Sequence, residues 1–423
     1  MKQRRVLVVT QHYWPENFRI NDLVEGFVAD GIAVDVLCGL PNYPKGEWYP
    51  GYRYAGPRYE ERPAPRAGVP PVRVWRAGEI PRKGNSGPMI FLNYVSWPLF
   101  ALFSLGRVKG PYDAVFCYNT SPVLMALPAL VYGRLHHVPV TTYVLDLWPE
   151  NLYSVLPVKS RFWQGVARRV SDWHYRRADR LIAMSGSLQK RLLKRTGKPE
   201  SDVAVIPQYC EDFYAVPQPD AGLAAQYAGG FNLVFTGNFS PAQSLDTVLR
   251  ALALARKEAG GQALRLLLVG DGMSRASLKA LAEELGLVQS GAAVFCGSVP
   301  PDQVPRYTTL ADALVVSLSA SEDLGLTVPA KLASYMAAAK PILASMDGEG
   351  RAAVEEAGCG LASAACDVEG LAANMLSLCR LTAGERAALG QRAFACYQSR
   401  YRRAQLLRQL EDFLLPPTTP TEE

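Results

Sequence analysis

Short apolar runs recur along this chain, separated by longer stretches in which apolar positions return at helical spacing. The first round comprises VLVVT (6 to 10), VDVL (34 to 37), VRVW (72 to 75), AVFCY (114 to 118), VTTYVLD (140 to 146), RLIAM (180 to 184) and VAVI (203 to 206). A second round follows the proline-marked stretch VPQPD (216 to 220), with NLVFTG (232 to 237), LRLLLVG (264 to 270), AVFCG (293 to 297), ALVVS (313 to 317) and PILAS (341 to 345). Strands buried on both faces read as continuous apolar runs, so the alternation predicts an α/β chain of two Rossmann-like domains, each a parallel sheet with helices on both faces. The division is expected after residue 215. The polar, proline-rich end PPTTPTEE, from Pro416 to residue 423, lacks the apolar content to pack and is expected to be a disordered tail.

In open parallel sheets ligands bind beyond the carboxyl ends of the strands, so the residues after each run are the functional candidates. In the second round these are Gly237 and Asn238, the triplet Gly270, Asp271 and Gly272, and Ser298 and Val299 after Gly297. Glycine there lets backbone amides approach a phosphate closely, while for any one pair the alternative is turn chemistry. The stretch VPAKLASYMAAAKPILAS (328 to 345) predicts a helix followed at once by a strand. Pro329 suits a first turn, and Leu332, Tyr335, Met336 and Ala339 follow at helical spacing. Lys331 then stands in the first turn, where a cation opposes the helix dipole unless an anion is held there; the alternative is a solvated surface lysine. No G-x-G-x-x-G follows any strand, which argues against a nicotinamide cofactor and favours a nucleoside diphosphate carrying a leaving group.

Composition narrows the class further. With 423 residues, 49% of them hydrophobic, the chain can bury two cores. Eight cysteines lie scattered without a C-x-x-C pair, beside only four histidines, so neither a zinc site nor a disulfide framework is indicated and a reducing, cytoplasmic setting is expected. MKQRR precedes only the short run Val6 to Val9, read as a first strand rather than a signal peptide. The net charge of +6 is concentrated between Lys159 and Glu200, where twelve Lys or Arg face three acids. Such a face suits nucleic acid, anionic lipid or plain solvation, and no nucleic-acid-binding signature accompanies it.

The blocks QHYWPENFRINDLVEGFVADGIAVDVLCGLPNYPKG (11 to 46), DLWPENL (146 to 152), IPQYCEDFY (206 to 214), FTGNFSPAQSLDTVL (235 to 249), VGDG (269 to 272) and VPAKLASYMAAAKPILAS (328 to 345) resemble family-4 glycosyltransferases. Within that family they are most similar to the branch that builds bacterial surface polysaccharides, including fucosamine and colanic-acid transferases. The resemblance implies a GT-B fold of two facing domains: residues 1–215 for the acceptor, 216–395 for a UDP-sugar, and a helix over 396–415 returning to the first domain. It also implies transfer with retained configuration, no metal and no cofactor beyond the UDP-sugar substrate, which would carry an N-acetylated deoxyhexosamine. A nucleotide-sugar 2-epimerase of the same fold and a non-catalytic UDP-sugar-binding protein are the alternatives.

The departures from the family pattern define the candidate site. Most members carry an Arg two residues past the first strand of the second domain and a Lys five further on; Asn238 and Gln243 stand there instead. The family's second glutamate, which binds the ribose, matches Ser334, and its first falls on Leu326, so Glu322 or Asp323 is the expected substitute. Lys331 is expected to have taken over the lost diphosphate charge. In the first domain Glu16, Asn17 and Arg19, and Asp146, Trp148 and Glu150, follow strands and are the acceptor-side candidates. The glutamates are expected to orient an acceptor hydroxyl, the alternative being loop-locking hydrogen bonds by Asn17 and Asp146. His12 and His174 show no carboxylate partner in the sequence and are expected to be structural.

The stretch PMIFLNYVSWPLFALFSLGRVKG (88 to 110) holds 17 apolar-rich residues from Met89 to Leu105, about 26 Å as a helix against a hydrocarbon core of ~30 Å. It is expected not to span a membrane, but either to lie at a bilayer surface with Arg107 and Lys109 meeting phosphates or to be a buried helix. The segment SRFWQGVARRVSDWHYRR (160 to 177) offers a second aromatic and basic face. A polyprenyl-diphosphate-linked saccharide acceptor, handled peripherally on the inner face of the cytoplasmic membrane, would explain both.

Overall fold

The computed structural model describes residues 3–43, 46–56, 58–63, 70–82, 87–155, 160–258 and 263–416. Lys159 and the expected tail beyond Pro416 lie outside them. The chain forms two units, Met1–Ile206 with Leu407–Glu423, and Pro207–Leu406.

The first unit is built on β1 (Arg5–Val9), β2 (Ala33–Cys38), β3 (Tyr59–Arg62), β4 (Val72–Arg76), β5 (Ala114–Asn119), β6 (Val140–Val144), β7 (Arg180–Ala183) and β8 (Val203–Val205). Their order is β3-β4-β2-β1-β5-β6-β7-β8. All neighbours are parallel except β3, which runs antiparallel to β4. Every position of β2, β5 and β6 is buried, as the continuous apolar runs require of a sheet covered on both faces. The seven expected strands of this unit are present. β3 was not foreseen because its sequence, YEER, alternates exposed and half-buried positions on a sheet edge and contains no apolar run.

The second unit holds β9 (Phe231–Thr236), β10 (Leu264–Val269), β11 (Ala293–Gly297), β12 (Ala313–Ser317), β13 (Ile342–Ser345) and β14 (Gly360–Ser363). The order is β11-β10-β9-β12-β13-β14, all parallel. By position in the chain this is the order 3-2-1-4-5-6, in which the direction of winding reverses between β9 and β12; that switch point is where such sheets bind ligands. The five foreseen strands are present, and β14, the short GLAS segment, is added at the edge.

The division falls at Ile206, earlier than the expected 215. Residues 207–215 belong to the second unit because Cys210 N–H donates to Tyr401 O at 3.0 Å and the turn Asp212–Ala215 packs on the helix Ala330–Ala337. The expected single helix over 396–415 is two helices, Ala383–Arg400 and Arg403–Leu414. The first starts at a capping box in which Thr382 and Glu385 satisfy each other's backbone N–H. The second carries the chain back to the first unit, where Arg4 donates to Leu415 O at 2.8 Å and Arg180 to Phe413 O at 2.7 Å.

Candidate functional site

At the carboxyl end of β9 the second unit places a lysine whose nearest partners are uncharged. The helix Ala330–Ala337 follows β12, with Pro329 as the residue just before its first turn and Lys331 second within it. One turn later, on the same face, Tyr335 is 1% exposed; its hydroxyl accepts from Thr236 N–H at 2.7 Å and lies 3.3 Å from Thr236 O. That contact fixes the helix to the last residue of β9 and sets where Lys331 must lie. The lysine Nζ sits 3.8 Å above the centre of the Phe235 ring and donates to Gln243 Oε1. Burial pushes its pKa down to about 7. The cation from the helix therefore reaches Gln243, the place where the family resemblance expects a lysine of the chain's own.

The glycines at these strand ends let the loops pack against one another. Gly270 has φ 143°, and a Cβ there would lie 1.9 Å from Gly237 O; Gly237, with φ 135°, would place a Cβ 3.2 Å from Lys331 Nζ. Their own N–H groups are already bonded, Gly237 to Val269 O at 2.9 Å and Gly270 to Gly297 O at 2.8 Å. The expectation that these two amides present themselves to a phosphate is therefore corrected: the glycines bring loop backbones together, and the turn reading holds for them. Asn238 is exposed on this edge with its Oδ1 lying over Gly272. Asp271 is exposed, accepts from Gly272 N–H at 2.8 Å and pairs with Arg275 at 3.0 Å; the backbone donor first, and Arg275 with it, hold its pKa down.

Glu322 and Asp323 form the start of a short helix, Glu322–Gly325, beyond β12, the strand beside β9, with Glu322 exposed and Asp323 half-buried. Ser298 and Val299 follow β11, two strands away from β9, on the sheet edge. Ser334 is 8% exposed, on the inner side of the lysine helix.

The carboxyl edge of the first unit is locked where it was expected to be open. Glu16 is 1% exposed. One of its oxygens accepts from Asn42 N–H and Tyr43 N–H, both at 2.7 Å, and the other meets His12 Nδ1 at 2.8 Å. Glu16 thus performs the loop-locking that the alternative reading gave to Asn17, which is itself exposed. His12, read as partnerless from sequence, has a carboxylate partner after all and stacks on Phe18 with ring centres 4.7 Å apart. Arg19 stands just before the helix Ile20–Ala29. Glu150 is held by Arg168 at 2.8 Å and Arg195 at 3.2 Å, in a network that Asp172 completes. Its carboxylate is bound internally, so the acceptor-orienting role is corrected for both glutamates. Trp148 is 6% exposed with Nε1 donating to Ser121 Oγ at 2.7 Å, and burial raises Asp146 to about 6 while a hydrogen bond from Asn151 opposes the rise.

A second buried group on this edge escaped the sequence reading. Glu79, after β4, is fully buried; it accepts from Gln11 Nε2, from Asn42 Nδ2 at 2.9 Å and from Asn93 Nδ2 at 3.0 Å. Burial is the main cause that lifts its pKa to about 8, so the group is a neutral acid at pH 7. Asn93 belongs to the helix Gly87–Ser104 and also accepts from Arg82 Nε at 3.0 Å. An Asn within an otherwise apolar helix, and polar residues directly after two strand runs, were the available signals.

Residues 88–110 contain a helix that is buried on one face only. By length and composition alone Gly87–Arg107 could cross a membrane. Yet one face, with Asn93, Tyr94, Ser96, Trp97, Pro98 and Ala101, is buried in the unit, and Ser96 Oγ accepts from Ile80 N–H at 2.9 Å. The other face leaves Phe91, Leu92, Leu99, Phe100 and Phe103 exposed, the last at 84%. The helix Arg161–Arg177 exposes Phe162, Trp163, Val170 and Trp173, and both helices pack against the turn Val123–Ala126.

Residues 17–208 match the family model described as glycosyl transferase 4-like domain, and residues 230–380 match glycosyl transferases group 1. A Pseudomonas aeruginosa protein named "Probable glycosyltransferase WbjE" is 28% identical over 254 residues, 59% of this chain, and the match spans 61% of that relative's length. Among solved structures, Anabaena HepE in complex with UDP and glucose aligns over 97% of this chain and 99% of its own, at 16% identity and a TM-score of 0.68. Sucrose-phosphate synthase of Thermosynechococcus elongatus aligns over 97% and 98%, at 17% identity and a TM-score of 0.72. At such identities the likeness is one of fold.

Proposed function

We propose, from the premise that this chain is built of the glycosyl transferase 4-like and group 1 domains in a GT-B fold, that it transfers a sugar from a UDP-sugar to a saccharide carried on a polyprenyl diphosphate. The product belongs to bacterial surface polysaccharide, and the sugar is an N-acetylated deoxyhexosamine transferred with retained configuration. The observation that carries this reading is the Lys331 ammonium at the switch point of the second sheet, bonded to the neutral Gln243 and in no ion pair with a carboxylate among the described residues.

A diphosphate leaving group gathers negative charge as the glycosidic bond breaks. A preorganised cation in a dry site stabilises that charge more than it stabilises the bound substrate, which is the condition for catalysis. Lys331 is buried enough to lose its proton near neutrality when alone, so the arriving diphosphate draws a proton onto it and then faces a full charge. Helix amides of the first turn add to this, since the first N–H groups of a helix have no partner within it. The proton of the acceptor hydroxyl passes to the departing phosphate, so neither a metal nor a strong protein base is required. Asn238 and Gln243 contact the diphosphate as neutral donors, and Glu322 or Asp323 serves the sugar.

The relative with a glycosyltransferase name and the fold neighbour solved with UDP and glucose support the donor class. The exposed apolar and aromatic faces of the helices Gly87–Ser104 and Arg161–Arg177 support peripheral docking on the inner face of the cytoplasmic membrane. The test is a screen of UDP-sugars against polyprenyl-diphosphate saccharides, read as released UDP together with a glycosylated product. Release of UDP that depends on the acceptor is expected; UDP binding without transfer or hydrolysis for any pair would leave a binding protein, and isomerised donor without acceptor an epimerase.

A further inference from the structure

We propose that Arg82 binds the diphosphate group of the acceptor, at the carboxyl edge of the first unit's sheet. The inference rests on the reading of that unit as the acceptor domain. Arg82 is held from three sides. Its Nε donates to Asn93 Oδ1 at 3.0 Å, and its guanidinium carbon lies 4.9 Å from the centre of the Tyr94 ring and 5.7 Å from that of Tyr43. Two ring faces and one hydrogen bond fix the plane of a fork whose remaining N–H groups match two oxygens of a phosphate.

The charge of that fork is not cancelled locally. Among the described residues Arg82 forms no ion pair within 4 Å, although a carboxyl group, Glu79, shares its partner Asn93. Glu79 is fully buried among Gln11, Asn42 and Asn93, and the charged groups that act on it are Glu16, which opposes its ionisation, and Arg82, which favours it. Burial outweighs the arginine and keeps the acid neutral at pH 7.

The surroundings say which anion. Asn93 points inward, while Phe91 and Leu92, two and one positions before it on the same helix, are 54% and 44% exposed. A ligand with an anionic head and an apolar tail meets the guanidinium with its head and the outer face of the helix with its tail. A free phosphate would use only the first.

The test uses the full chain and calorimetric titration with two probes, farnesyl diphosphate and inorganic diphosphate, each with and without saturating UDP. Farnesyl diphosphate is expected to bind, and Arg82→Gln to weaken it roughly ten- to a hundredfold, the range for losing hydrogen bonds to a charged group. Arg82→Lys, which keeps the charge and loses the fork, is expected to fall between, with UDP affinity unchanged in both variants. An Arg82-dependent loss for both probes identifies the diphosphate alone as the ligand, and a loss for farnesyl diphosphate only identifies the lipid form. Wild-type protein that binds neither probe, or variants that bind both as tightly as wild type, would overturn the proposal. Absence of UDP binding would count against the donor site instead, and the arms without UDP still decide the role of Arg82.

Discussion

The two sheets end in carboxyl edges of opposite character. In the second unit the edge is made of glycine-linked loops, an exposed Asn238 and Asp271, and one lysine whose partner is neutral. In the first unit the corresponding edge is filled by carboxyl groups that are already bound: Glu16 by His12 and two amides, Glu79 by three side-chain amides, Glu150 by two arginines. An edge with an unneutralised charge is prepared for a ligand of opposite charge, whereas an edge of satisfied carboxyls holds its loops in a single arrangement. The same strand–helix architecture thus serves two ends: the second sheet holds the Lys331 charge against a neutral partner, while the first fixes its loops with bound carboxyl groups and leaves the Arg82 guanidinium beside them without an ion pair among the described residues.

The largest effect that would break this contrast is at Lys331. Lys331→Ala is expected to lower turnover about a hundred- to a thousandfold, the range for losing a preorganised donor, while weakening UDP-sugar binding far less. Lys331→Arg should keep part of the rate, and Asn238→Arg with Gln243→Lys should partly rescue Lys331→Ala. Steady-state kinetics of released UDP decide it, and near-normal turnover in the folded alanine variant would mean that the charge comes from elsewhere.

Next in size is a stability effect confined to the other edge. Glu16→Ala leaves the buried Asn42 N–H, the part-buried Tyr43 N–H and His12 without their acceptor, and should cost about 3 kcal/mol in a denaturant titration, since a buried polar group left unpaired costs about 1 to 3 kcal/mol. UDP binding by the protein that remains folded should be unchanged. A loss of UDP affinity without a loss of stability would reverse the roles assigned to the two edges.

A smaller effect is expected at Tyr335. Tyr335→Phe removes the acceptor for Thr236 N–H and should cost about 1 to 3 kcal/mol. Because the hydroxyl also sets the register of the lysine helix on β9, turnover should fall while KM for the UDP-sugar stays near its wild-type value. Equal changes in both constants would make Tyr335 a plain packing residue.

A pH dependence tests the same edge from another side. Folded Glu79 keeps its proton up to about 8, whereas an unfolded chain releases it near the ordinary 4.5, so folding takes up a proton between these values and stability falls as pH rises through that window. Glu79→Gln removes the dependence and should gain on wild type from pH 5 to 8 in thermal midpoints taken across the range. A difference independent of pH would contradict the neutral acid.

Much of this was legible in the sequence, and the rest failed for identifiable reasons. Twelve strands announced themselves as apolar runs because both faces of a parallel sheet are buried; β3 and β14 did not, one being polar on a sheet edge and the other built of small residues. Lys331 was legible because helix starts and strand ends carry local signals. Its partner Gln243, 88 positions away, was not legible as a contact. The carboxylates of the first unit were misread for the same reason. Whether Glu16 is free or locked depends on amides 26 and 27 positions downstream, and the Gln11, Glu79 and Asn93 cluster joins residues up to 82 apart. Sequence spacing reports what a residue can do; only long-range packing decides whether it is already engaged.

The central claim is that the second unit meets a diphosphate with a single lysine that is charged by the ligand it binds. In the free protein burial holds Lys331 at about 7, below the ordinary lysine value of 10.5, so at pH 8 most copies are uncharged. For stability the sign is the reverse of the Glu79 case: the unfolded chain binds the extra proton, so this site's contribution to folding rises as pH climbs from about 7 to 10.5. A bound diphosphate favours the charged form and must bring a proton with it. The direct measurement is calorimetric titration of the full chain with UDP at pH 8 in two buffers of different ionisation enthalpy. Uptake close to one proton per UDP in the wild type, and close to none in Lys331→Ala, is the predicted result; UDP binding with no dependence on the buffer would contradict it.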